Sequence, residues 1–168
     1  MERRQVVVSG LGLLGVAAAG LAAEPIRNVS PNVSPEIVAE IKATLEQHDK
    51  AFAVHDLEGV MSTYRKSPQT VLMGTGPGEI WSGLEEIADA YKHFFADFDK
   101  GAQQFKYSYV SGAGLGDAAW LSVLGSIAAG KGEVKREFGI NISSVLVKDA
   151  GKWRFAQLHF SNLTGPEK

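Results

Sequence analysis

Cysteine is absent from the 168-residue sequence, which excludes disulfides, thiolate metal sites and a cysteine nucleophile. Charge of one sign is lacking too. The net charge is −2 at pH 7, and removing residues 1–23, which carry Glu2, Arg3 and Arg4, leaves −3. Neither value makes a case for nucleic acid or an anionic membrane as a partner. Asp117, Glu133 and Glu137 are scattered without metal-ligand spacing, so no metal and no other cofactor is expected. The glycine-rich residues 74–78 lack the lysine and the strand-to-helix setting of a phosphate loop. They read instead as a flap.

The one long apolar run lies at the start. Arg3-Arg4 precede Val6-Val7-Val8 and a Gly/Ala-rich stretch that ends at Ala23, before Glu24-Pro25. A charged head, a short apolar centre and a small-residue exit make a signal peptide over residues 1–23. The run is about 17 residues long and broken by Ser9, at the lower limit for a membrane span. A cleaved signal with no stable span afterwards is therefore expected, and a bacterial protein that is periplasmic or secreted. The arginine pair fits the twin-arginine route, with the general secretory path as the alternative. Residues 24–34 hold the repeat Asn28-Val29-Ser30-Pro31 and Asn32-Val33-Ser34-Pro35, whose spaced prolines favour an extended linker. Residues 35–163 form one domain and 164–168 a tail.

Within that domain helices come first. Ser34 can cap a helix that starts at Pro35, with Val38, Ile41, Leu45, His48 and Phe52 as one inward stripe. Asp56 caps a short second helix with Leu57, Val60, Met61 and Tyr64 on its apolar side. Residues 69–73 read as a strand. Ser82 and Glu85 have the spacing of a capping box for a third helix, which faces inward with Leu84, Ile87, Tyr91 and Phe94. Residues 103–111, 117–129 and a hairpin over 134–162 then read as strands parted by glycine-rich turns. The order α-α-β-α-β-β-β-β gives an α+β class, helices on one side of a mainly antiparallel sheet.

The hairpin carries the most information. If Lys148-Asp149-Ala150-Gly151 close it, Val147 faces Lys152, and the row Asn141, Ser143, Val145 pairs with Leu158, Ala156, Arg154. Both faces are then largely apolar, and each needs a cover. The expectation is that Ile140, Ile142, Leu146, Trp153 and Phe155 meet a second copy in a homodimer. The opposite row turns toward the helices.

The phrases His55-Asp56-Leu57-Glu58-Gly59, Trp81-Ser82-Gly83-Leu84-Glu85-Glu86-Ile87 and Gly151-Lys152-Trp153 with His159-Phe160-Ser161 resemble the SnoaL-like branch of the nuclear transport factor 2-like superfamily, which includes ketosteroid isomerase. The likeness spans about residues 36–162. It implies a cone: a curved sheet wrapped around a long helix, a pocket at the open end and dimerisation through the convex side. Function is less specified, since such folds host isomerases, cyclases, dehydratases and binding domains. The isomerase uses an aspartate base, a tyrosine and a protonated aspartic acid. The resemblance puts their places at Met73, His48 and Ser143. Methionine takes no proton, so that mechanism is not expected.

Three polar residues, His48, Asn141 and Ser143, are expected to converge with Tyr64, Leu158 and Phe160 on a site for a small apolar or amphipathic molecule. His48 has two readings: a neutral core histidine bonded to a backbone carbonyl, or a group on the pocket floor. His159 and Ser161 read as interface or convex-surface groups. The alternatives to a binding domain are an isomerase, cyclase or dehydratase using His48 with Tyr64, and a protein-association module working through the sheet.

Overall fold

The computed structural model describes residues 35–162. The expected signal peptide, the linker and its Ser34 cap, and the tail lie outside the described residues. The described elements run α1 (Pro35–Ala53), α2 (Leu57–Ser62), β1 (Val71–Met73), β2 (Ile80–Ser82), α3 (Gly83–Asp97), β3 (Gln104–Leu115), β4 (Ala118–Lys131), β5 (Val134–Asp149) and β6 (Lys152–Asn162). The α+β class is as expected. Three helices cover one face of a curved, unclosed sheet of order β2-β1-β6-β5-β4-β3, antiparallel except where β1 runs parallel to β6. The sequence reading missed β2, a three-residue strand that pairs Ile80 with Met73.

The helix signals translate into contacts. Ile41, Leu45, His48 and Phe52 are buried along α1, joined by Thr44 and Ala51. The helix ends in a reciprocal pair of backbone bonds, Asp56 N to Ala51 O and His55 N to Phe52 O, with His55 at φ 53°. This is a Schellman stop with histidine where glycine is usual. Asp56 then caps α2 by accepting from Gly59 N at 2.9 Å. A Cβ on Gly59 would lie 2.4 Å from the Asp56 carboxylate and 2.9 Å from Ala51, so only glycine lets the two helices turn this tightly. The third helix differs from expectation by one residue. Glu86, not Glu85, accepts from Ser82 N at 2.8 Å, because Gly83 takes φ 78° and moves the start of the helix.

The hairpin's faces are the reverse of those expected. Ile140, Ile142, Ser144 and Leu146 are buried against the helices, whereas Asn141, Ser143 and Val145 lie on the outer face. The row with the larger apolar side chains won the helix-covered side, as burial of apolar area requires. The register differs as well. Asp149 pairs with Lys152, so the turn is Ala150-Gly151 alone, and the ladder shifts where Leu146 faces Phe155 but Val145 faces Gln157. Ala156 is the extra residue of a bulge, and it reverses the side-chain parity of β6. Trp153 and Phe155 before the bulge, and Leu158 and Phe160 after it, therefore all point inward. A regular strand would have split them. The proposed homodimer face of Ile140, Ile142, Leu146, Trp153 and Phe155 is thus core, each residue no more than 6% exposed.

A second bulge at Ser108, between Tyr107 and Tyr109, does the same for β3 and puts Phe105, Tyr107 and Val110 on the inner side. The inner row continues through β4 as Leu121, Val123 and Ile127. Trp153 ties the sheet to α1, donating Nε1–H to Glu40 at 2.7 Å, while the Thr44 hydroxyl donates to the Trp153 carbonyl at 3.3 Å.

Ala150 and Gly151 have φ 48° and 77°, the pair of positive angles that a type I′ turn needs and that Asn-Gly adopts most readily. An alanine there costs about 1–2 kcal/mol. Ala150→Asn should therefore raise the unfolding free energy by about 1 kcal/mol. Urea denaturation checks this, and an unchanged or lower midpoint would contradict the turn assignment.

Candidate functional site

α1 brings His48 to the centre of the domain, 0% exposed and ringed by Phe52, Tyr64, Tyr91, Phe155 and Phe160 at centroid distances of 5.8 to 6.3 Å. Both ring nitrogens are engaged by side chains, not by the backbone carbonyl expected of a core histidine. Nε2 lies 2.8 Å from the Tyr91 hydroxyl, and Nδ1 lies 3.2 Å from Asp49 Oδ1. Tyr91 is also 2.6 Å from the Tyr64 hydroxyl, and Tyr107 donates a short bond to the other oxygen of Asp49.

A carboxylate only accepts, so His48 carries its proton on Nδ1 and accepts at Nε2. Tyr91 must then donate to His48, and Tyr64 to Tyr91. The line runs Tyr64, Tyr91, His48, Asp49, with Tyr107 closing the far end. Burial holds all three phenols well above their ordinary value near 10. Tyr64 is raised further by the neighbouring Tyr91. For Tyr91 the Tyr64 hydrogen bond pulls the other way and Asp49 adds to the rise. Asp49 also raises Tyr107.

In front of this line opens a cavity of about 680 Å³. Its depth is apolar: Phe52 from α1, Leu72 from β1, Tyr91 and Phe94 from α3, and Phe105, Ile127, Phe138, Ile140 and Phe160 from the long strands. All six aromatic rings among them belong to the hydrophobic core cluster or pack against it, as does Trp81 at the mouth. Phe94, Phe105, Phe138 and Phe160 are only half-buried, although they face inward, because the cavity runs past them. The mouth is polar. Thr75 and Glu79 come from the loop joining β1 to β2; Glu86, Asp89, His93 and Asp97 come from α3.

The structure places the expected site residues as follows. Phe160 lines the cavity. His48, Tyr64 and Leu158 are fully buried behind its wall, and Tyr91 is the link between them and the space, its ring in the wall and its hydroxyl turned back to His48. Asn141 and Ser143 are not brought there. They stand on the outer face beside Ser161 and His159, where Ser143 meets His159 Nδ1 at 3.3 Å and the buried Asn141 Oδ1 has no partner. The face reversal described above accounts for both. His159 and Ser161 do lie on the convex side, as expected. The loop at residues 74–78 does sit at the mouth, where Gly74 N donates to Glu79 O at 2.9 Å and Gly76 N to the Glu79 carboxylate at 2.7 Å.

Sequence reasoning missed the polar mouth. Its signal was present in α3, where Glu86, Ala90, His93 and Asp97 recur at three and four residues beside the apolar Ile87, Tyr91 and Phe94. Among the described residues there is no cluster of three or more side chains suited to a metal ion, and no helix is long and apolar enough to cross a membrane.

The model of the SnoaL-like domain family matches residues 41–165. Among solved structures, a nuclear transport factor 2-like superfamily protein of Salmonella enterica superposes with a TM-score of 0.69 at 18% identity, covering 79% of this chain and 94% of that one. A nuclear transport factor 2-like protein of Streptomyces avermitilis, provisionally named a dehydratase, gives 0.67 at 20%, covering 79% and 100%. A ketosteroid isomerase-like protein of Erwinia carotovora gives 0.61 at 24%, covering 79% and 100%. At these identities the likeness is one of fold. Among curated proteins none matches the chain. A family match over most of the domain, on a curved sheet covered by three helices with the nuclear transport factor 2-like fold, makes this chain a member of the SnoaL-like domain family.

Proposed function

We propose that this is an exported domain that binds a small, mainly apolar molecule in the cavity between α3 and the inner face of the sheet. The observation that carries the reading is the cavity's make-up: about 680 Å³, with aromatic and aliphatic depth and polar groups confined to the mouth. That volume falls in the range of about 300–1,000 Å³ usual for small-molecule sites. No acid–base group reaches the apolar depth among the described residues. His48 and Tyr64 are spent on each other through Tyr91, and Met73 stands at the base position. This favours binding over the isomerase, cyclase or dehydratase alternative.

The proposal includes a homodimer, now through a different set of residues. The outer face exposes Trp120 (48%), Leu124 (45%) and Val145 (39%), set on adjacent strands where Trp120 pairs with Val145 and Leu124 with Asn141. Neighbouring large apolar groups on an open sheet face favour an isologous contact burying about 800 Å² per partner.

A neutral naphthalene probe should bind the wild type with rising fluorescence, and Phe138→Trp, which fills the cavity, should weaken it by about tenfold or more. Saturable binding unaffected by Phe138→Trp, or no binding at all, would remove the cavity from the account. For assembly, Trp120→Glu should turn a dimer into a folded monomer by sedimentation. A wild type that already sediments as a monomer at micromolar concentration would contradict the dimer.

A further inference from the structure

We infer that the cavity selects ligands carrying a positive charge at the end that stays in the mouth: an organic ammonium or guanidinium with an apolar body. This rests on the binding reading above and concerns the charge of what enters.

The side chains that line the cavity include four carboxylates, Glu79, Glu86, Asp89 and Asp97, and no lysine or arginine. They do not neutralise one another's field. Asp89 has a partner, Lys92 at 3.4 Å, but that pair is more than half exposed on both sides and is screened by water. Asp97 has no ion-pair or hydrogen-bond partner among the described residues. His93 donates from Nδ1 to the Asp89 carbonyl at 2.8 Å, which uses one ring nitrogen locally.

Two of the carboxylates are fixed in place. Glu79 accepts from Gly76 N at 2.7 Å, and its side chain fills the space that a Cβ on Gly74 would need, 2.3 Å away. Glu86 accepts from Ser82 N at 2.8 Å. A carboxylate held by a backbone amide is already placed and loses little freedom when a cation arrives. Trp81, on the strand between these two, lines the cavity as well, and a cation over an indole gains from the ring's quadrupole. Behind the rim the walls are aromatic and aliphatic to the floor. An anionic head would meet four like charges at the entrance; a cationic one meets fixed acceptors and a π-face while its body enters the apolar depth.

The test uses three probes with one naphthylmethyl body: a trimethylammonium, its uncharged tert-butyl analogue and a sulfonate, titrated by fluorescence into the full domain. The ammonium should bind at least about tenfold tighter than the sulfonate at low ionic strength, and the gap should shrink several-fold at high salt. In the amide variant Glu79→Gln/Glu86→Gln/Asp97→Asn, in which the side chains at 79 and 86 still accept their backbone bonds, the ratio should fall to within about twofold. Equal ammonium and sulfonate affinities, or a ratio unchanged in the amide variant, would overturn the inference while binding of the neutral probe kept the cavity reading alive. Failure of all three probes would overturn both.

Discussion

A single hydrogen-bonded line, Tyr64–Tyr91–His48–Asp49, holds the centre of this domain together. Tyr64 follows α2, Tyr91 belongs to α3, and His48 and Asp49 to α1, so the line joins all three helical segments. Tyr107 then ties it to the sheet through β3. Each member is polar and buried or nearly so, and each donor or acceptor left unpaired there would cost about 1–3 kcal/mol. The helices therefore cannot slide relative to one another without breaking a bond that water is not present to replace. Aromatic rings on every side of His48 exclude that water and strengthen the bonds they surround.

The same constraint explains where the open space is. Forward of His48 and Tyr64 the helices cover the aromatic residues of β3, β5 and β6 only in part, Phe105 meeting Phe52 of α1 and Phe160 meeting His48. Phe105, Phe138 and Phe160 are left half-buried around a cavity that ends at the Tyr91 ring. The rear wall is polar inside and apolar toward the cavity. The carboxylates come only where α3 and the β1–β2 loop reach solvent. A histidine that looked like a candidate for chemistry is thus the keystone of the wall, and recognition belongs to the rim and the rings.

Much of the fold was legible because its signals are local. The stripe Ile41, Leu45, His48, Phe52 has the helical period, and Asp56 before Leu57 is a cap that forms as read. The faces of the hairpin were not legible from alternation, since both rows are largely apolar and period two says only which residues share a side. The decisive fact was volume: Ile140, Ile142 and Leu146 outweigh Asn141, Ser143 and Val145 in buried area. The bulge at Ala156 has no residue signature, being neither glycine nor proline, yet it moved Leu158 and Phe160 to the face of Trp153 and Phe155. Of the site, Phe160 was placed correctly for this reason only in the end result. The strand Ile80–Ser82 is too short for any periodicity to show.

The central claim is that the three phenols are locked, protonated, inside the fold. Their folded-state values all lie above the 10.0 at which an exposed tyrosine ionises. For a raised acid the linked stability is fully present below the unfolded value and is lost as pH rises above it. Alkaline titration followed by phenolate absorbance and circular dichroism together, in a Tyr109→Phe background that leaves only Tyr64, Tyr91 and Tyr107 of the four tyrosines, reads this directly. The account predicts that phenolate appears only above pH 10 and in step with loss of the sheet signal. Phenolate forming near pH 10 with the sheet signal intact would contradict it.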